Sequence, residues 1–326
     1  MRALICEAYG PPESLTVGEL PEPALTADGV RIAVRAVGLN FADLLIVAGQ
    51  YQFTSPFPFA PGMECAGEVI EVGADVTGLK PGDRVAAHPW RHCLAEQVVA
   101  PAHLVHRMPD AMDMTTGAAL TLSYGTTHHA LFDRARLLRG ETLLVLGAAG
   151  GVGLNAVELG HQAGATVIAA AGSPEKLALC ERCGADHGID YRAEDLRARV
   201  QAITGGRGVN VVFDAVGGDM TLAALRCVDW GARLLIIGFA GGEIARIPSN
   251  HVLIKGTEVI GAVFTPLCER EPAAGKAVIA DVMRLWREGR IRPHISHRLP
   301  FGRTVEGLAL LAARASTGKV VIEVQE

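Results

Sequence analysis

The stretch that most constrains this chain is Leu143-Leu144-Val145-Leu146-Gly147-Ala148-Ala149-Gly150-Gly151-Val152-Gly153. An apolar run stops at small residues, and a helical pattern follows through Leu154, Val157 and Leu159. That order predicts a strand, a tight turn and a helix N-terminus. Such a turn brings backbone N–H groups and the positive end of a helix dipole up to a phosphate. The spacing Ala148-x-Gly150-x-x-Gly153 departs from the dinucleotide fingerprint only at its first glycine. A degenerate glycine motif also suits a plain glycine-rich turn, so its surroundings decide.

Those surroundings alternate. Strands are predicted at 142–146, 166–170, 187–190, 210–214, 232–238 and 258–264, with helical segments such as 174–183 and 193–203 between them. Six strands joined by crossovers imply an α/β domain with a doubly wound parallel sheet. The motif follows its first strand and opens its first helix, the placement a dinucleotide site requires. Upstream, residues 1–120 have an all-β texture, with alternating runs such as 30–37 set between Gly/Pro punctuation like Pro61-Gly62 and Lys80-Pro81-Gly82-Asp83. They predict a small, partly open β-barrel. Residues 115–138 read as helical with a break around 123–126. After the sheet come helices at 274–288 and 305–314 and a strand at 319–324. This tail is expected to return to the N-terminal domain, which gives domains of 1–120 completed by 267–326, and 121–266.

Of the 326 residues 49% are hydrophobic but only 5% aromatic, so Ala, Val, Leu and Ile must build the cores, as in buried parallel sheets. A net charge of −5 argues against a nucleic-acid or anionic-membrane surface. Seven scattered cysteines fit reduced thiols. No signal-peptide pattern or apolar run of spanning length appears. These features predict a soluble cytoplasmic protein.

An NAD site usually carries an acid at the end of the second strand. Here that strand runs Val167-Ile168-Ala169-Ala170-Ala171-Gly172-Ser173 with no acid, and Lys176 follows. Opposite charges about 4 Å apart interact by about 4 kcal/mol near a protein surface, so a cation in place of an acid favours NADPH. The same Ser173-Pro174-Glu175-Lys176 also reads as an ordinary N-cap with Pro in the first turn, and the two roles are compatible. The loops Val216-Gly217-Gly218 and Gly238-Phe239-Ala240-Gly241 follow later strands and are expected to line the nicotinamide. Asp214 reads as a cap for its own loop. For metal, Cys180-x-x-Cys183 lies in a helical pattern, His128-His129 diverge, and His88, His92 and Cys93 lack a fourth ligand, so no metal is expected.

Ordered motifs run along the whole chain: Gly38-Leu39-Asn40-Phe41-Ala42-Asp43, Pro61-Gly62-Met63-Glu64, Lys80-Pro81-Gly82-Asp83-Arg84-Val85, Tyr124-Gly125-Thr126-Thr127, Asp190-Tyr191-Arg192 and Gly318-Lys319-Val320-Val321. End to end the chain resembles the zinc-free quinone oxidoreductase (zeta-crystallin-like) family of the medium-chain dehydrogenase/reductases. The resemblance implies a GroES-like barrel beside a Rossmann domain. Asn40 and Met63 stand where zinc-dependent relatives carry ligands, which implies no zinc. It further implies NADPH contacts at Asn40, Thr126, Ala149, Gly150, Gly151 and Val152. Gly172, Ser173, Lys176 and Tyr191 match the 2′-phosphate pocket. Val216, Phe239, Val263, Phe264 and Thr265 match loops along the nicotinamide, and Lys319 a basic residue of the tail. Tyr51 falls in the quinone-facing segment near Asn40 and Asp43, the three expected catalytic residues, with Asn40 and Tyr51 hydrogen-bonding the acceptor carbonyl. Pro89-Trp90-Arg91-His92-Cys93-Leu94 departs from the glycine-rich sequence expected there. The implied activity is zinc-independent hydride transfer from NADPH to a quinone or conjugated enone by a homodimer joined near residues 261–264. The alternatives are an enoyl-thioester or alkenal reductase, and a non-catalytic NADPH-binding protein that is structural or RNA-associated.

Overall fold

Short extended runs broken by Gly and Pro fold as strands in the structure, a computed structural model that describes residues 1–324. They are β1 (Arg2–Ile5), β2 (Thr16–Glu19), β3 (Gly29–Leu39), β4 (Glu64–Val72), β5 (Arg84–Ala87), β6 (Gln97–Pro101) and β7 (Val105–Arg107), with α1 (Phe41–Val47) after β3. Two helices follow, α2 (Met114–Ala118) and α3 (Thr121–His128), the second running into a π-helical segment, His129–Arg134. The alternating region is β8 (Thr142–Leu146), α4 (Gly151–Gln162), β9 (Thr166–Ala171), α5 (Pro174–Arg182), β10 (His187–Asp190), α6 (Leu196–Thr204), β11 (Val209–Asp214), α7 (Gly218–Leu225), β12 (Val228–Ile236), α8 (Ser249–Lys255) and β13 (Glu258–Gly261). The tail holds α9 (Phe264–Arg270), α10 (Pro272–Arg287), β14 (Ile295–Pro300), α11 (Thr304–Ala312) and β15 (Lys319–Glu323).

Two compact units result, one of Met1–Leu122 together with the chain from Cys268 on, the other of Ser123–Leu267. In the second unit six parallel strands lie in the order β10-β9-β8-β11-β12-β13. The order reverses direction between β8 and β11, and ligands in such sheets sit beyond the strand C-termini at that switch point. Leu143 to Leu146 are fully buried, because helices cover both faces of a parallel sheet. In the first unit the strand order is β14-β15-β3-β4-β5-β7, with β6 also on β3. The tail returns as expected: β15 pairs antiparallel with β3, Val320 opposite Leu39 and Val321 opposite Gly38. Its core gathers Val30, Ile32, Val34, Val37 and Leu39 from β3 with Val320 and Ile322 from β15.

Two expectations are corrected. The helix does not break at 123–126; the interruption falls at Ala119–Leu120, and α3 runs through Gly125. That glycine serves packing, since a β-carbon there would lie 2.5 Å from the Phe264 ring. Within α3 the Thr127 hydroxyl bonds back to the Ser123 carbonyl at 2.9 Å, as hydroxyls inside helices do. The strand expected at 258–264 stops at Gly261, and Phe264 opens α9. Pro266 explains the change, because proline cannot donate to a sheet ladder yet fits the first turn of a helix. Among the described residues no helix is long and apolar enough to cross a membrane.

Candidate active site

The glycine turn has the geometry its residues suggest. Gly147 takes φ +65°, Gly150 caps α4, and its N–H donates to the Gly147 carbonyl at 3.0 Å. A β-carbon on Gly153 would run into that same backbone carbonyl, so only glycine lets α4 start this close to β8. The first N–H groups of a helix have no partner within it, and Gly151, Val152 and Gly153 occupy those positions in α4. Thr127, next to Thr126, donates its hydroxyl to the Val152 carbonyl at 3.2 Å and ties α3 to this turn. Ala149 is buried beside it.

Ser173 caps α5, its hydroxyl accepting the Lys176 N–H at 3.4 Å. At Gly172 two side chains converge: a β-carbon there would lie 2.9 Å from the Tyr191 hydroxyl and 3.0 Å from Nε of Arg192. The structure thus brings Tyr191 to Gly172 next to the Ser173 cap, where Lys176 enters through its backbone N–H, and adds Arg192, which motif matching passed over. Its signal was present, a cation directly after Tyr191 at the end of the third parallel strand. No acid ends β9 itself, and Glu175, which takes a hydrogen bond from the Ser173 side chain, is exposed in the first turn of α5, so the Tyr191 and Arg192 donors suit a phosphate ester better than a bare ribose diol.

Val216 packs on the turn, its Cγ2 lying 3.0 Å from a β-carbon built on Gly147. Phe239 lies similarly against Gly217, at 3.1 Å. Asp214 caps its loop as expected, accepting the N–H groups of Val216 and Gly217 at 2.8 and 2.9 Å and the Thr221 hydroxyl. Val263 is exposed, whereas the Phe264 ring is buried against Gly125 and His129. Phe264 therefore reaches a ligand through its backbone if at all. Thr265 is buried with its hydroxyl unpartnered.

The first unit centres on a buried charge network. Lys319, at the start of β15, is 3% exposed and donates to the Leu39 carbonyl, Asn40 Oδ1 and Glu64 Oε1, each at 2.8 Å. Glu64, at the start of β4, accepts at Oε2 from the Thr121 hydroxyl (3.1 Å) and the Leu122 N–H (2.8 Å). Asn40 donates its amide to Glu64 Oε1 at 3.1 Å and to the Gly38 carbonyl at 3.0 Å. A lysine facing one end of the amide and two acceptors facing the other fix its orientation.

This network corrects two residue roles. All three ammonium N–H bonds of Lys319 are committed, so none remains for the cofactor, and the lysine instead holds Asn40. Both amide N–H bonds of Asn40 are committed as well, so it has none for an acceptor carbonyl. Glu64 is the functional residue that sequence reasoning missed. The available clue was a charge heading each of two apolar strands, Glu64 before Cys65-Ala66 and Lys319 before Val320-Val321.

Asp43 lies beside the network, fully buried, its Oδ2 accepting the Asn40 N–H at 2.8 Å while Oδ1 has no partner. Burial raises its carboxyl to about 7, against the pull of the Asn40 N–H and of Lys319. Tyr51 is half-buried, and burial followed by the Asp43 charge raises its phenol above the ordinary value. Its ring meets Phe53 edge-on at 5.1 Å, and Phe53 meets Trp90 at 5.8 Å. Cys93 is buried next to Cys65, and desolvation pushes its thiol well up. Among the described residues no group of three or more His, Cys, Asp or Glu is placed to hold a metal ion.

Residues 26–110 match the family model for the alcohol dehydrogenase GroES-like domain, and residues 151–278 that for zinc-binding dehydrogenases. The chain is 37% identical to quinone oxidoreductase-like protein 2 of Rattus norvegicus, over 99% of this chain and 92% of that one. It is 35% identical to the quinone oxidoreductase of Pseudomonas aeruginosa, over 97% of each. The chain belongs to the quinone oxidoreductase family of the medium-chain dehydrogenase/reductases. The Escherichia coli quinone oxidoreductase complexed with NADPH agrees, at TM-score 0.93 and 26% identity over 99% of this chain and 100% of that one. As a quinone oxidoreductase family member the chain pairs a GroES-like domain with a Rossmann-type parallel sheet.

Proposed function

We propose that this chain is an NADPH-dependent quinone oxidoreductase that reduces a quinone or conjugated enone without a catalytic zinc. The observation that carries the reading is the convergence of Tyr191, Arg192 and the Ser173-capped helix on Gly172, a donor set for the 2′-phosphate of NADPH. When bound, NADPH supplies the hydride; the protein positions and stabilises. The open N–H groups at the start of α4 hold the pyrophosphate. Asn40, clamped by Glu64 and Lys319, offers its Oδ1 to the cofactor.

Tyr51 is the hydrogen-bond donor to the acceptor oxygen, where negative charge develops. Burial, and after it Asp43, raises the Tyr51 phenol above its ordinary value, and a phenol is already protonated at neutral pH. One hydride and one proton, the proton given by Tyr51 and replaced on the phenol from water, convert a quinone to its hydroquinone. The partner is a second copy of the chain joined at β13, whose outer edge is unpaired among the described residues and whose Val259 is exposed, as are Leu253 and Ile254 of α8. Unpaired edges are ready templates for a further strand.

The test is NADPH oxidation followed by absorbance with quinones, 2-alkenals and enoyl-thioesters in parallel. Quinone turnover supports the reading. NADPH binding with no turnover of any acceptor refutes an enzyme, and turnover confined to enoyl-thioesters moves the activity to that class. Stoichiometric zinc in active protein, found by elemental analysis, overturns the zinc-free mechanism.

A further inference from the structure

The segment from Trp90 to Leu94 is held in an unusual way. Trp90 and His92 both take positive φ, 75° and 70°, without being glycine. Backbone in that region is disfavoured for side-chain-bearing residues and gathers at functional sites. Backbone N–H groups of Trp90, His92, Cys93 and Leu94 donate to the carbonyls of Met63, Ala60, Gly62 and Pro61 and hold the strained pair in place. Between the two left-handed residues stands Arg91. Its guanidinium lies 5.8 Å from the centre of the Phe53 ring and donates to the Ser55 hydroxyl at 3.3 Å.

Four other arginines of its unit are held by carboxylates, as Arg91 is not. Arg2, Arg31, Arg35 and Arg107 each pair with a carboxylate, Glu96, Glu71, Glu68 and Asp83 respectively. Among the described residues no carboxylate pairs with Arg91, although the chain carries a net charge of −5. Beside it the indole N–H of Trp90 is buried and donates to nothing. A buried donor without an acceptor is rare and calls for one that binding supplies. Two adjacent side chains thus hold unused donors, one of them cationic and lying over an aromatic ring. An arginine pre-oriented on an aromatic face presents its N–H fork to a planar or tetrahedral oxyanion at little further entropic cost. Through Phe53 this pair adjoins Tyr51, the donor assigned to the acceptor oxygen.

We propose that Arg91, with the Trp90 indole, binds an anionic substituent on the acceptor, so that the preferred substrates are aromatic quinones bearing a carboxylate or sulfonate. This rests on the quinone-reductase reading and narrows it. The experiment compares a naphthoquinone with its sulfonate as acceptors, and measures equilibrium binding of the sulfonate to the NADP⁺-loaded protein. Arg91→Ala is expected to lower kcat/KM for the sulfonate by about tenfold more than for the neutral quinone, chiefly through KM. It should weaken sulfonate binding by a similar factor. Arg91→Lys should recover part of the loss, and added salt should erode the preference. Equal losses with both acceptors would make Arg91 a structural tie between two loops and overturn the proposal, as would no loss with either. Arg91-dependent binding of the sulfonate with no NADPH oxidation would sustain the anion site and refute the reductase reading instead.

Discussion

Replacing Lys319 by methionine keeps the side chain's length and removes its charge. Three 2.8 Å hydrogen bonds disappear, and Glu64 becomes a buried carboxylate facing only Asn40, Thr121 and the Leu122 N–H. Both partners are almost wholly buried, at 3% and 0% exposure. Removing one member of such a pair costs about 3–5 kcal/mol, well above the ~0–1 kcal/mol of an exposed pair. At about 2–4 °C per kcal/mol for a unit of this size, the melting temperature should fall by about 10 °C. Glu64→Gln in the wild-type background should also destabilise, because it leaves the lysine uncompensated. Added to Lys319→Met, the same change should restore about 1–3 kcal/mol, since the amide oxygen still accepts from Thr121 and Leu122 without a stranded charge. Urea unfolding of the four proteins measures the cycle. A cost below about 1 kcal/mol for Lys319→Met, or no rescue by Glu64→Gln, would refute the account of the network.

Gly153→Ala drives a β-carbon into the Gly147 carbonyl and should cost about 1–3 kcal/mol in stability and more than about tenfold in NADPH affinity, read by calorimetry. Arg192→Ala should shift the ratio of kcat/KM values for NADPH and NADH toward NADH by about tenfold or more, and further than Lys176→Ala does. Asp43, raised to about 7, stays protonated between its unfolded value near 4 and pH 7. It therefore makes stability fall as pH rises through that window, and Asp43→Asn should abolish both this slope and any inflection near neutrality in the pH profile of kcat/KM. Burial lowers His88 to about 3 and places the stacked His106 well below its ordinary value. Their unfolded forms take up protons first, so stability is intact above about pH 6.5 and falls by up to about 1.4 kcal/mol per pH unit per histidine as the pH drops. The double variant His88→Phe, His106→Phe should lose less stability between pH 7 and 5 than wild type.

Local patterns carried most of the architecture. The turn at Gly147–Gly153, the alternation that follows it, and the return of β15 were all legible because glycine spacing and hydrophobic period report strand and helix directly. Asp214 was legible as a cap for the same reason, since its partners lie within seven residues. Gly125 misled because a glycine that relieves contact with Phe264 looks in sequence like one that ends a helix. The site was harder to read. Glu64 and Lys319 are 255 positions apart, and no local period links them. Asn40 was found, but its hydrogen-bond capacity depends on Gly38, Glu64 and Lys319 together, which no single motif shows. Arg192 was in view beside Tyr191, yet only its convergence on Gly172 brings it into the candidate pocket.

The first unit is interrupted in sequence by the whole of the second. β15 is inserted between β14 and β3 in the sheet, so during synthesis a central place stays vacant while the intervening strands leave the ribosome. Until Lys319 arrives, Glu64 has no counter-ion and the Ala36–Leu39 part of β3, beyond the part paired with β6, keeps one ladder edge bare. The second unit, contiguous and built from neighbouring strands, has everything it needs earlier. The expected order in the nascent chain is therefore inside out, with the nucleotide-fold segment compact first and the enclosing unit closing last.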